Sequence, residues 1–244
     1  LTRRAAPWLA LLLALSGCSD LSGSGERAPS AGEFPRAERP VSSLGGNGFS
    51  DEPAREAVRE AKTVMDLARI APGMTVADIG AGEGYYTVRL AERVGAEGRV
   101  LAQDIDPEAL KRLGDRVERE RLDNVSIKLG AEDDPRLPQS SFDRIFLVHM
   151  YHEVAEPYAF LWRLHPALDD GGRVIVVDTD RASDQHGLPP QLLFCEFRRV
   201  GFRLAEFVRK PELGGYYAAF EPEGMRPEPS EIEPCKGGEE QPSA

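Results

Sequence analysis

The chain of 244 residues lacks any apolar run of the roughly 20 residues that a membrane-spanning helix needs, and it has no stretch dense in lysine and arginine. With a formal net charge of -11 and a pI near 5.0, it is a poor candidate for a nucleic-acid partner, because phosphate binding is driven by clustered cations that displace counterions. No internal repeat is visible. Cysteine is scarce, at Cys18, Cys195 and Cys235 only. A bond between the last two is conceivable in an oxidising compartment, but the expectation is a buried thiol at Cys195 and a loose one at Cys235. Aromatic residues make up 7% and hydrophobic residues 41%, which suits one globular domain of ordinary core size with something appended at each end.

The N-terminal appendage reads as an export signal. Arg3 and Arg4 flank a short apolar core, Trp8 to Leu15, as in secretory signals. The following Leu15-Ser16-Gly17-Cys18 resembles the lipobox of bacterial lipoproteins. That resemblance implies a signal peptide over 1–17, acylation of Cys18 and attachment to the cell envelope, with Ser19 directing it to the outer membrane on its periplasmic side. The alternative is a plain secretory signal with Cys18 incidental. Residues 18–50 are rich in Ser, Gly, Pro and charge and are expected to form a flexible tether. The acidic, proline-rich stretch 221–244 is expected to be disordered.

Between 51 and 220, helical and strand patterns alternate, the mark of an α/β domain. A helix is expected through Ala57, Ala61, Val64, Met65 and Ala68, ended by Pro72-Gly73, and a strand at 74–78. Further strands are expected at 100–104, 125–129, 142–148, 173–178, 202–208 and 216–220. Ile145 to Val148 and Val174 to Val177 are unbroken apolar runs, as buried parallel strands require.

The chemistry gathers at the first strand-to-helix turn, Asp78-Ile79-Gly80-Ala81-Gly82-Glu83-Gly84. Glycines let a backbone approach a ligand closely, and the helix that follows offers free N–H groups. A dinucleotide fingerprint would need a glycine at position 85, which is Tyr85. This weighs against a nicotinamide-dependent oxidoreductase.

Asp-x-Gly-x-Gly-x-Gly resembles motif I of class I S-adenosylmethionine-dependent methyltransferases. Asp104 lies where that family keeps an acid for the ribose, and Gly130 to Pro138 where it places a loop over the adenine. Ser141 to Val148 resembles its fourth strand, and Gly171-Gly172-Arg173 the entry to its fifth. The resemblance implies a Rossmann-like three-layer α/β sandwich over 51–220, with a mostly parallel seven-stranded sheet of order 3-2-1-4-5-7-6 and an antiparallel last strand. Within the class the chain resembles small-molecule methyltransferases of the ubiquinone-biosynthesis and arsenite type.

Residue by residue, the resemblance implies that Asp78, Gly80, Gly82 and Gly84 serve the methionine arm, that Asp104 takes the ribose, and that either Glu132 or Asp133 meets the adenine. Tyr85 and Tyr86, beside the cofactor loop, are lid or wall candidates, with core packing as their default. Asp106 is more simply a helix cap. His149 should sit near the methyl group, and His152, in His149-Met150-Tyr151-His152-Glu153, is the expected general base. Each histidine has a purely structural alternative. No metal is expected, since His149, His152 and Glu153 do not have the spacing of a helical zinc motif. His186 is a candidate for a lid over a small-molecule substrate. The competing function is a non-catalytic lipoprotein that keeps the fold to bind a nucleoside-like ligand or a partner. The sequence is silent on oligomeric state.

Overall fold

The computed structural model describes residues 27–45 and 51–236, so the signal-like segment and Cys18 lie outside the described residues. Among the described residues no helix is long and apolar enough to cross a membrane.

The alternating elements are α1 (Glu52–Ala57), α2 (Glu60–Leu67), β1 (Thr75–Ile79), α3 (Tyr85–Val94), β2 (Arg99–Asp104), α4 (Pro107–Glu120) and β3 (Val125–Leu129). They continue with β4 (Phe142–Val148), α5 (Pro157–Leu164), β5 (Leu168–Asp178), α6 (Pro190–Arg199), β6 (Phe202–Lys210) and β7 (Gly215–Pro222). The seven strands form one sheet in the order β3-β2-β1-β4-β5-β7-β6. Strands β1 to β5 pair in parallel, and β7 runs antiparallel to both β5 and β6. This is the expected Rossmann-like sheet.

Its centre is dry on both faces, and each face carries its own core cluster. One includes Ile145, Leu147, Val174 and Val176 with Leu193 and Phe197 of α6. The other includes Phe146, Ile175 and Val177 with Val64, Leu90 and Val94 of α2 and α3. The strand order reverses direction between β1 and β4. At such a reversal the connections leave the carboxyl ends of the strands in opposite directions, which is where open α/β sheets place their ligand crevice.

Four expectations are corrected. The single helix through 57–68 is two, because Arg59 adopts a left-handed backbone (φ 53°) between α1 and α2. The 18–50 tether is not loose over residues 27–45. Ala31 and Phe34 are buried in the core, and the side chains of Arg39 and Glu196 form an ion pair at 2.8 Å that is 1% exposed on each side. The tail is likewise packed as far as Lys236. Arg226 lies 3.5 Å from the centre of the Trp162 ring, the Trp162 indole donates to the Pro227 carbonyl, and Ile232 is buried. Finally, Cys195 and Cys235 are not separate thiols but a disulfide. Isolated anchors such as Phe34, Arg39 and Ile232 carry no periodicity, so composition alone reads these segments as linkers.

Candidate active site

The glycine loop, β2's terminal acid and the turn after β4 meet at the carboxyl edge of the sheet. Asp78 points inward from β1. It is 3% exposed, and its carboxylate accepts the Thr87 hydroxyl at 2.6 Å. Burial pushes its pKa up to about 6, against the pull of the Thr87 hydrogen bond. Such a carboxyl is held ready for a cation, whose arrival would restore the charged form.

The three loop glycines have different reasons to exist. All have positive φ, at 69°, 54° and 87° for Gly80, Gly82 and Gly84, where a side chain is strained. A Cβ on Gly82 would meet nothing within 4 Å, so its outer side is open to a ligand. A Cβ on Gly84 would lie 2.4 Å from Leu113 Cδ1. Gly84 therefore brings α3 and α4 together, a packing role where the motif implied a ligand contact. Gly80 is confined by the Met150 side chain, which would lie 3.0 Å from a Cβ at that position, and so couples the loop to the turn after β4.

Asp104 accepts the Gly82 N–H at 2.8 Å and the Asp106 N–H at 3.0 Å. Its carboxylate fixes the loop and keeps further lone pairs for hydroxyl donors. Asp106 caps α4, as expected, by accepting the Glu108 N–H. Beside Asp104, an open pocket of about 540 Å³ is lined by Ile105, Gly130, Ala131 and Glu132, and by Ala28 and Leu44 of the packed N-terminal segment 27–45, the strap. Of the two acids expected near the adenine, Asp133 is already engaged: Arg163 Nη1 donates at 2.5 Å and Ser30 Oγ at 2.6 Å. These bonds hold its pKa low although partial burial raises it. Glu132 remains exposed on the pocket wall.

Tyr85 is held by its neighbours. The guanidinium groups of Arg55 and Arg89 lie over its ring, at 3.9 and 4.0 Å from the centre, and its hydroxyl donates to Glu56. It thereby supports α1 and α2, the core-packing role that is its default. Tyr86 is buried and donates to Glu60.

His149 closes β4 with a left-handed backbone, φ 53°, and its N–H donates to the Val177 carbonyl. Its ring is buried, with Nε2 3.5 Å from Glu60 Oε2. Glu60, on α2, has no signal in the sequence beyond its charge. Burial alone would raise its pKa, but hydrogen bonds from His149 and Arg55 overcome this and hold it at about 2. The charged form of Glu60 is thus favoured beside His149.

His152 is fully buried in a short 3-10 turn (Tyr151–Glu153). Its Nδ1 lies 2.9 and 3.1 Å from the two oxygens of Asp178, at the end of β5. The dyad fixes the ring's orientation, whereas the sequence shows Asp178 only as a strand terminus. His186 arrives from the β5–α6 loop with its ring 5.6 Å from that of His152, edge to face.

The strap supports this turn from behind. Arg39 donates to Glu196 and to the carbonyls of His152 and Val154, and Tyr151 donates to the other oxygen of Glu196. Ser42 binds the His152 carbonyl through its N–H and receives the His186 N–H on its hydroxyl. Residues far apart in sequence therefore position both histidines.

Comparison with known proteins places the fold in a family. A 151-residue stretch is 34% identical to a ubiquinone/menaquinone biosynthesis C-methyltransferase of Methylococcus capsulatus, covering 61% of this chain and 58% of that one. A demethylmenaquinone methyltransferase of Listeria welshimeri is 27% identical over 124 residues, 51% of this chain and 52% of its own. The chain thus spans little more than half the length of these curated relatives. Among solved structures, a SAM-dependent methyltransferase from Aquifex aeolicus superposes with a TM-score of 0.63 at 24% identity, over 70% of this chain and 94% of that one. The [4+2]-cyclase SpnF does so with a TM-score of 0.59 at 15% identity, over 80% and 90%, a reminder that a fold by itself does not name a reaction. A family model described as a methyltransferase domain matches residues 70–197, from the residues before β1 into α6. By that match over half its length, the chain belongs to the methyltransferase-domain family.

Proposed function

We propose that the protein is an S-adenosylmethionine-dependent methyltransferase acting on a small or envelope-borne acceptor, held at the cell envelope by a lipid on Cys18. The observation that carries the first part is the joint placement of Asp78, open-sided Gly82 and Asp104 on one crevice. The buried Asp78 carboxyl suits the ammonium group of the methionine arm, and Gly82 leaves room for that arm to pass. Asp104 has lone pairs for the ribose hydroxyls, and Glu132 is the acid free to meet the adenine amino group. When bound, the cofactor supplies a methyl group on a sulfonium centre. The chain's own contribution is to bind, to orient and to exclude water.

On the acceptor side, the positioned groups are His152, held by Asp178, and His186. His149 braces the end of β4 against Glu60. Calorimetry on the full chain in detergent should show S-adenosylhomocysteine binding on the order of micromolar, weakened about tenfold by Asp104→Asn. No binding by folded protein would overturn the reading.

The exported location is supported by the Cys195–Cys235 disulfide, since such bonds persist mainly in oxidising compartments. Mass spectrometry of the purified chain should find acyl groups on Cys18; an unmodified cysteine would remove the anchor. The same disulfide favours a second reading, because S-adenosylmethionine is made in the cytoplasm. In that reading the protein is a lipoprotein that binds a nucleoside-like ligand or a partner without turnover. Radiolabelled methyl transfer into an envelope extract separates the two: binding with no transfer selects the second.

A further inference from the structure

His152 carries a nitrogen that its surroundings do not explain. With Nδ1 held by Asp178, the ring presents Nε2 on the opposite side, in a residue with no solvent exposure, and that atom has no hydrogen-bond partner. Facing it is His186, whose Nδ1 is also buried without a partner. The third group at this spot is Glu153, with Oε1 3.9 Å from His152 Nε2. One donor atom from each of the three lies within 4.8 Å of the other two. Two buried ring nitrogens without hydrogen-bond partners, on histidines gathered with a carboxylate in one small cluster, form a costly arrangement unless a cation completes it.

We propose that His152, His186 and Glu153 form a site for a divalent ion of the zinc type. Two imidazoles and one carboxylate are a common protein ligand set for zinc sites that keep an open position. The hydrogen bond from a ligating histidine to a carboxylate, here Asp178, is the usual outer partner that fixes tautomer and basicity. The preparation extends to the backbone. His186 is held with φ 52°, its N–H fixed by Ser42, and a Gly45 N–H donates to Glu153 Oε1, leaving lone pairs on the carboxylate for a metal. The sequence conceals the site because its third ligand comes from another loop, 34 residues from His152, outside any contiguous motif.

The open position suits an oxygen or sulfur of the acceptor, so this inference rests on the methyltransferase reading for its chemistry but not for its ion. A hydroxyl or thiol bound there releases its proton to water and keeps the electron pair. That pair forms the bond to the methyl carbon as the carbon–sulfur bond of the sulfonium breaks and its electrons return to sulfur as a neutral thioether. His152 is then a ligand and not the general base.

The test is metal content and titration of the full chain in detergent, stripped with chelator and reloaded with zinc alone or with cobalt(II) as a spectroscopic probe. The expected result is one ion per chain, with the visible bands of a four- or five-coordinate cobalt(II) site. Glu153→Gln, nearly isosteric, and His186→Ala should each weaken binding at least tenfold, while Asp104→Asn leaves it unchanged. Stoichiometry near zero in wild-type protein, or wild-type affinity in both ligand variants, would overturn the proposal. Because S-adenosylhomocysteine binding is measured separately, loss of the metal site alone leaves the methyltransferase reading standing, and loss of cofactor binding alone leaves the site.

Discussion

The two halves of the crevice are built on different principles. The half at β1 and β2 is local: Asp78, Gly80, Gly82, Gly84 and Asp104 fall within 27 residues, and each takes its place because a strand ends and a helix begins. The half at β4 and β5 is assembled from a distance. His152 needs Asp178 from another strand, its carbonyl is held by Arg39 and Ser42 of the strap, and His186 depends on Ser42 as well. A local site can be carried from protein to protein by one motif. A site built through long-range contacts depends on the particular chain that surrounds it.

The largest effect should come from cutting the long-range support. Arg39→Ala breaks a buried ion pair and leaves Glu196 in the core with only the Tyr151 hydroxyl as donor, which costs about 3–5 kcal/mol. Chemical denaturation should show that loss, and the surviving folded fraction should still bind S-adenosylhomocysteine within about threefold of wild type. If cofactor affinity collapses together with stability, the two halves are not separable.

Next comes a pair of glycine substitutions inside the local half. Gly84→Ala drives a methyl into Leu113 and should destabilise by about 1–3 kcal/mol, as overpacking does. Gly82→Ala meets no atoms and should cost only the strain of its left-handed backbone, about 1–2 kcal/mol, yet weaken ligand binding more than tenfold. Equal effects on binding from the two variants would contradict the division of roles among the glycines.

The smallest effect is titrational and belongs to Asp78. Its folded pKa of about 6 lies above the ordinary aspartate value of 3.8, so between those values the folded state binds more protons than the unfolded one. The stability of the ligand-free protein should therefore fall as pH rises through that window, while affinity for an ammonium-bearing ligand rises across it. Glu60 behaves oppositely. Its pKa is held at about 2, so its contribution is present above the unfolded value of 4.5 and is lost as pH falls toward 2. Asp78→Asn should flatten the binding profile near pH 6 and leave the acid limb governed by Glu60; an unchanged profile would remove Asp78 from the cofactor site.

The same contrast governs what is legible in the sequence. Strand order, the glycine loop and Asp104 can be read because they are encoded by runs and spacings a few residues long. The surroundings of Asp133 and Tyr85 are not legible, because their side chains are engaged by Ser30, Arg163, Arg55 and Arg89, partners that only the folded chain brings close. The strap and tail mislead for a related reason. Polar, proline-rich segments look unstructured until single residues such as Phe34, Arg39 and Cys235 find partners more than a hundred or, for the cysteine, 40 positions away.

The strap also sets a length. From Cys18 to Arg27, whose side chain is pinned to Glu156 at 2.6 Å, there are nine residues, and a fully extended chain gains about 3.3–3.6 Å per residue. With the lipid proposed at Cys18, Arg27, where the strap is pinned to the domain, would stay within about 30 Å of the bilayer. The domain's search for an acceptor would be confined to a thin layer over the membrane, where amphiphilic molecules concentrate and freely diffusing ones have no advantage.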